Sequence, residues 1–340
     1  MLRIGTAAAI VAALAATAFA GVAEADTTIA HIVRPSLVNA LNGNVVWSAY
    51  DNTDKLYRLT AFRGGRVTTL PVPPSDSVFD ADLGVDAAGK LTVVYSRCTQ
   101  PREKLPFIMA PATADCDLYR YRFGDPGEQK LTAFSRVGIS EFLPSIWGNR
   151  IAFARTSTNA SGGNCVTAVW LGDIASGRQR RLATGTLGNY KSASPCHLRT
   201  TPTSIDVRAR VIAFAWYFAP YGCDDGSQLW LIRLPKKPKL IESRCSGYRF
   251  TPVSLTRSRL FEMSFGSPTN RSVGYFHPNL RRFDLRSHRY YEALQPDGDS
   301  FAVSDGATIY ALRRSTSGAG NYDVVSRPLR GFKRSRRDRG

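Results

Sequence analysis

Beyond its first stretch, the chain alternates short apolar runs with short polar ones, and within the runs the apolar residues recur every second position. One module repeats. It opens on a small residue and an apolar one, passes a polar turn and enters a β-rich run. Its copies are Ser36-Leu37 to Val45-Val46-Trp47, Asp82-Leu83 to Val93-Val94-Tyr95, and Ser145-Ile146 to Ile151-Ala152-Phe153. Three more follow: Ser204-Ile205 to Ile212-Ala213-Phe214, Ser254-Leu255 to Leu260-Phe261, and Ala302-Val303 to Ile309-Tyr310. Behind each copy comes a second module: Leu56-Tyr57-Arg58-Leu59, Leu118-Tyr119-Arg120-Tyr121, Val169-Trp170-Leu171, Leu229-Trp230-Leu231-Ile232, Leu280-Arg281-Arg282-Phe283 and Tyr322-Asp323-Val324-Val325. Most of these lead through a polar turn into one further strand, as at Val67, Arg181-Leu182 and Leu240-Ile241. Alternating β-branched and aromatic residues suit half-buried strands, and Gly, Asn, Asp and Ser take the turns.

Each unit therefore supplies four short strands, two before a variable loop and two after it. No long segment has a helical period outside the N-terminus. A lone four-stranded sheet leaves both faces uncovered, whereas sheets packed radially cover one another. Units of roughly 45–65 residues repeated along the chain predict an all-β fold, a single β-propeller of six four-stranded blades over residues 26–330. The strand–turn–strand copies, with Leu-Tyr-Arg or Leu-Trp-Leu opening the third strand, resemble TolB-type propeller repeats from about Ser36 to Arg327. That resemblance implies the fold and an exported binding protein, and it implies no catalytic residues. A separate TolB N-terminal domain is not evident.

The exception to the strand pattern is residues 1–25, which read as a signal peptide. Arg3 gives a positive start, Ile4 to Phe19 is apolar or small, and Ala18-Phe19-Ala20 and Ala23-Glu24-Ala25 are candidate cleavage sites, the second preferred. The expected location is secreted or periplasmic. The six cysteines fit an oxidising compartment, and their spacing does not suit zinc. In a four-stranded blade, the loop from second to third strand and the loop to the next blade lie on one side of the disc. Placed on the repeats, Cys98, Cys116, Cys165, Cys196, Cys223 and Cys245 all fall on that side. The simplest pairing is sequential: Cys98–Cys116, Cys165–Cys196 and Cys223–Cys245.

Charge adds a partner class. The formal net charge is +18, and Arg outnumbers Lys 36 to 9. Residues 331–340 read as a disordered basic tail. A basic exported protein is drawn to anionic wall polymers, head groups or glycans, with nucleic acid disfavoured outside the cell.

Candidate chemistry is sparse. No nucleophile elbow, zinc helix or phosphate loop is present. His197 and His277 fall on the loop side, apart from His31 and His288. Asp80, Asp82 and Asp86 weakly resemble a calcium loop, but Asp82 and Asp86 are better read as serving strand entry and the turn before Gly89. Arg34, Asp80, Glu141, Arg199, Arg249 and Asp299 precede the innermost strands and are expected at the mouth of the central channel, as a ring for an ionic ligand or a solvated funnel. Trp216, Tyr217, Phe218 and Tyr221 stand near Cys223 as candidate sugar-stacking rings, with core packing favoured for Trp216. The expectation is an exported, monomeric, non-catalytic binding or scaffold propeller without cofactor or metal, whose disulfide-stapled loop face binds a protein or envelope polymer. The alternative is a propeller enzyme of the hydrolase, lactonase or lyase type, with its site at the channel mouth.

Overall fold

The computed structural model describes residues 26–99, 115–158, 164–184, 194–195, 200–218, 226–244, 249–265, 279–294, 299–316 and 321–334. Among them every regular element is a β-strand, and the strands form six antiparallel sheets. Blades 1 to 5 follow the chain: residues 38–69, 82–130, 139–184, 200–244 and 249–294, each with its first strand innermost. The fold is the six-bladed propeller that the repeats imply.

Blade 6 is assembled from both ends of the chain. Asp299–Ser304, Thr308–Arg314 and Tyr322–Pro328 supply three strands, and Thr27–Ile32 adds the fourth, antiparallel to Tyr322–Pro328. The ring is closed by hydrogen bonds between the two ends rather than by packing alone. The side chain of Asp26 adds ion pairs to Arg313 and Arg327. The segment expected to be a disordered tail is ordered at its start: Lys333–Arg334 pairs with Glu292 and Tyr291 on the outer strand of blade 5, and Phe332 packs edge-on against Phe261. Residues 335–340 and the signal segment 1–25 lie outside the described residues.

Among the described residues, six buried apolar clusters stand one between each pair of neighbouring blades. The Ile-Ala-Phe-Ala copies show how one sequence serves two seams. In blade 4, Ile212 and Phe214 face blade 3 while Ala213 and Ala215 face blade 5. In blade 3, Ile151 and Phe153 face blade 2 while Ala152 and Ala154 face blade 4. Period-two alternation thus sends large residues to the preceding blade and small ones to the next.

Each seam also carries a polar clasp, a hydrogen bond between one blade's side chain and the next blade's backbone, and in three seams that side chain is the serine on which the repeat opens. Asn39 Nδ2 donates to Ala81 O, and Asp80 Oδ2 accepts from Leu143 N at 2.6 Å. Ser145 Oγ accepts from Val207 N at 2.9 Å, Ser204 Oγ from Val253 N at 3.0 Å and Ser254 Oγ from Ser304 N at 3.2 Å. Asp305 Oδ2 accepts from Gly43 N at 2.8 Å and completes the circle. Buried backbone donors are costly to leave unpaired, about 1–3 kcal/mol each, so these side chains hold register as well as energy. Where blades 2 and 3 approach most closely, only glycine fits: a Cβ on Gly84 would stand 1.9 Å from Ile146 O.

Candidate functional site

The two sides of the disc differ. First-to-second and third-to-fourth strand connections are short turns on one side, here the turn face. Their geometry is set by side chains within the turns: Asp86 Oδ1 accepts from Ala88 N and Lys90 N, and Asp284 Oδ1 from Arg286 N and Ser287 N. Asp86 therefore acts as a turn residue, as expected, and its pairing with Arg122 Nε at 2.6 Å anchors it further.

The other side, the loop face, carries the second-to-third strand loops and the links between blades. Cys98 and Cys116 sit there directly opposite each other at the ends of paired strands, joined by a disulfide with S–S 2.02 Å. This pair is the one expected. Cys165 pairs through its backbone with Ser194, on a short strand two residues before Cys196. The other two expected pairings, Cys165–Cys196 and Cys223–Cys245, rest on side chains that lie outside the described residues. Val137 is fully exposed on this face, at 101%.

Of the six channel-mouth candidates, Arg34, Asp80, Glu141 and Asp299 have described side chains. Arg34 is exposed and lies over the ring of Tyr50, 3.6 Å from its centroid, and a hydrogen bond with Tyr57 raises its pKa. Asp80 is buried and binds Ser96 N and Oγ besides Leu143 N. Glu141 is wholly buried and pairs with Arg155 Nε at 2.8 Å; burial outweighs the arginine and pushes its pKa up to about 7. Asp299 holds Arg313 Nε at 3.0 Å and also pairs with Arg327. The backbone of Arg249 pairs with Phe265, and its side chain and the whole of Arg199 lie outside the described residues. Asp80, Glu141 and Asp299 are thus bound to neighbours inside blades or across a seam.

Further charged groups lie outside the channel-mouth candidates. Between blades 4 and 5, Arg281 lies 2.6 Å from Glu242 and 2.9 Å from Glu262. Glu262 is completely buried, and desolvation pushes its pKa up to about 7 despite Arg281. Toward the turn face, Asp82 and Asp206 share the central channel with Ser145 and Arg208. Burial raises both carboxyls, Asp206 to about 6, and their mutual repulsion raises Asp82 further. The cavity here measures about 10 Å³, room for one water at most. Trp147, stacked under Arg208 at 4.6 Å, helps close it. A polar residue at alternate positions of an innermost strand, as in Ser204 and Asp206, is the only local signal for this pair.

Among the described residues no group of three or more His, Cys, Asp or Glu stands close enough to hold a metal, and no helix is long and apolar enough to cross a membrane. His31, on the outer strand of blade 6, and His288, in a turn of blade 5, are exposed; His197 and His277 lie outside the described residues. Trp216 is buried between blades 3 and 4, and Tyr217 is also buried. The side chain of Phe218 and all of Tyr221 lie outside the described residues.

No protein-family model matches the sequence, and no curated protein matches it. Solved structures share the architecture. An α-L-arabinofuranosidase from Fusarium graminearum has 10% sequence identity and a TM-score of 0.50, over 89% of this chain and 98% of that one. A provisionally named TolB from Agrobacterium tumefaciens has 12% identity and a TM-score of 0.47, over 87% of this chain and 90% of that one. A prolyl endopeptidase has 11% identity and a TM-score of 0.47; 87% of this chain matches it but spans only 42% of its length. At these identities the likeness concerns the fold alone. These neighbours include enzymes and a TolB alike, so the class defined is the six-bladed β-propeller and not an activity.

Proposed function

We propose that the chain is an exported, non-catalytic binding propeller that presents its loop face to a protein or envelope polymer. The observation that carries this reading is the Cys98–Cys116 disulfide, which closes an 18-residue excursion at the rim of the face that bears the long connections. A cross-link of that span restricts the unfolded chain by about 3 kcal/mol and fixes the roots of the loop. Loops anchored on a rigid scaffold are where recognition concentrates. Export is supported by the signal-like pattern of residues 1–25 and by the disulfide, which persists in oxidising compartments. The carboxyls that a propeller enzyme would draw on are engaged elsewhere. Asp80, Glu141 and Asp299 serve clasps and ion pairs, and Asp82 and Asp206 face a cavity of about 10 Å³ that admits no substrate.

The test is capture from envelope extract by immobilised protein, compared with the Cys98→Ser/Cys116→Ser variant below its melting temperature. The wild type is expected to enrich a partner that the variant loses by about tenfold, since ordering a loop on binding costs free energy that the staple has already removed. Absence of any enriched partner, or equal capture by both proteins, contradicts the reading.

A further inference from the structure

We propose a second binding site on the turn face, a groove between blades 4 and 5 that takes a linear acidic polysaccharide carrying carboxylate or sulfate groups. It lies on the opposite side from the stapled loops and is independent of the function proposed for them. The groove has a volume of about 630 Å³, and Arg210, Arg233, Arg257 and Arg286 line it over a floor that includes Leu234 and Leu285. Each arginine comes from a different connection or strand end, two in blade 4 and two in blade 5. The groove is built on fixed backbone: Leu234 N donates to Arg210 O at 2.8 Å and Leu285 N to Ser258 O at 2.9 Å. Arg233 donates across the seam to Leu285 O and ties the two walls together.

All four arginines are exposed, and among the described residues none of them has a carboxylate within ion-pair distance. The contrast is with Arg155, Arg281 and Arg313, each of which is matched to an acid. Exposed Lys236, Lys237 and Arg289 add positive charge on the same turns. The acid of the blade 5 turn, Asp284, is committed to Ser287 and Arg286 backbone, and those hydrogen bonds hold its pKa below the usual carboxylate value. Asp284 therefore stays ionised and offsets one of these charges, leaving the groove with an excess of positive charge.

The chemistry selects among anions. A guanidinium presents a planar fork that matches a carboxylate or sulfate through two parallel hydrogen bonds. Several such forks along one groove match charges repeated along a chain. No aromatic ring lines the groove, so nucleobases have nothing to stack on. The site is concave, without a projecting apolar side chain to insert into a bilayer. Leu234 and Leu285 offer apolar surface to the C–H faces of sugar rings.

The test uses the purified full mature chain and two fluorescent probes, a heparin decasaccharide and an oligogalacturonate of equal length, with binding read by anisotropy at about 150 mM salt. Arg210→Ala/Arg257→Ala/Arg286→Ala is expected to weaken whichever glycan binds by about tenfold or more, because each lost fork is a charge-assisted contact. Arg178→Ala/Arg180→Ala/Arg181→Ala, exposed on blade 3 and equal in charge removed, is expected to change affinity by less than about twofold. The ratio of the two glycan affinities identifies the preferred anion. Equal loss in both variants reduces the effect to net charge and overturns the site. So does tighter binding to single-stranded DNA or phosphatidylglycerol vesicles than to either glycan, and so does absence of binding by the wild type.

Discussion

The two faces of the disc are made from the same strands but held by different means. The turn face is fixed locally: Asp86, Asp173, Asp284 and Asp305 each accept backbone N–H groups of their own turns, and Asp305 reaches Gly43 across the last seam. The loop face is fixed at a distance, by a disulfide between strand ends and by buried ion pairs such as Arg155–Glu141. A tight turn has no room to vary without losing its own hydrogen bonds, whereas a loop whose roots are clamped is free to differ along its length. The recognition proposed here belongs to the loop face, whose connections are long; the turn face is built of short, self-bonded turns that carry exposed arginines.

The comparison is broken most severely by opening the ring, which serves both faces. Deleting residues 26–32 removes the fourth strand of blade 6 and strips Ile32 from its seam. The expected loss is at least about 4 kcal/mol, with a broadened urea transition; a truncated chain that unfolds like the wild type contradicts ring closure through this strand. Next, Gly84→Val drives a side chain into Ile146 O and is expected to cost about 3 kcal/mol by overpacking. Calorimetry reads it, and a neutral result removes the close approach of blades 2 and 3. Cys98→Ser/Cys116→Ser is expected to cost about 3 kcal/mol while leaving glycan binding at the turn face unchanged, so a parallel fall in glycan affinity denies that the faces are separable.

A smaller effect comes from buried carboxyls with raised pKa values. Glu141 and Glu262, pushed to about 7, keep their protons in the native state at pH values where the unfolded chain has released them. Their contribution is full below the unfolded carboxyl pKa and is lost as pH rises through the folded one. Melting is therefore expected to fall by about 5 °C between pH 5 and pH 8, with a flatter profile in Glu262→Gln; a melting temperature that rises over this window contradicts the buried acids. The smallest effect on stability is at the groove, where the triple arginine variant is expected to melt within about 1 °C of the wild type.

Much of the ring was legible in the sequence because the pattern that marks each blade is local. Ile212-Ala213-Phe214 alternates, Ser176-Gly177 turns, and Cys98 and Cys116 bracket one loop. What escaped depends on contacts that no local pattern encodes. Nothing within Thr27–Ile32 names Tyr322–Pro328 as its partner, and nothing in the basic run at Lys333–Arg334 marks it as a strap on blade 5. Asp80 precedes its innermost strand, whereas Glu141 and Asp299 lie within theirs, and strand position does not give side-chain direction. All three turn into the protein, where Ser96, Arg155 and Arg313 meet them. The arginine groove was equally hidden, since its four residues are spread over more than seventy positions of the chain and converge only when blades 4 and 5 stand side by side.

The most direct test of a recognition surface on the loop face is site-specific photocrosslinking in living cells. A crosslinking amino acid replaces Val137 or Thr99 on the loop face, or Arg66 on the turn face of blade 1, all three exposed. The account predicts discrete adducts from Val137 and Thr99 and none from Arg66. Adducts from Arg66 alone, or none from either loop-face position, contradict it.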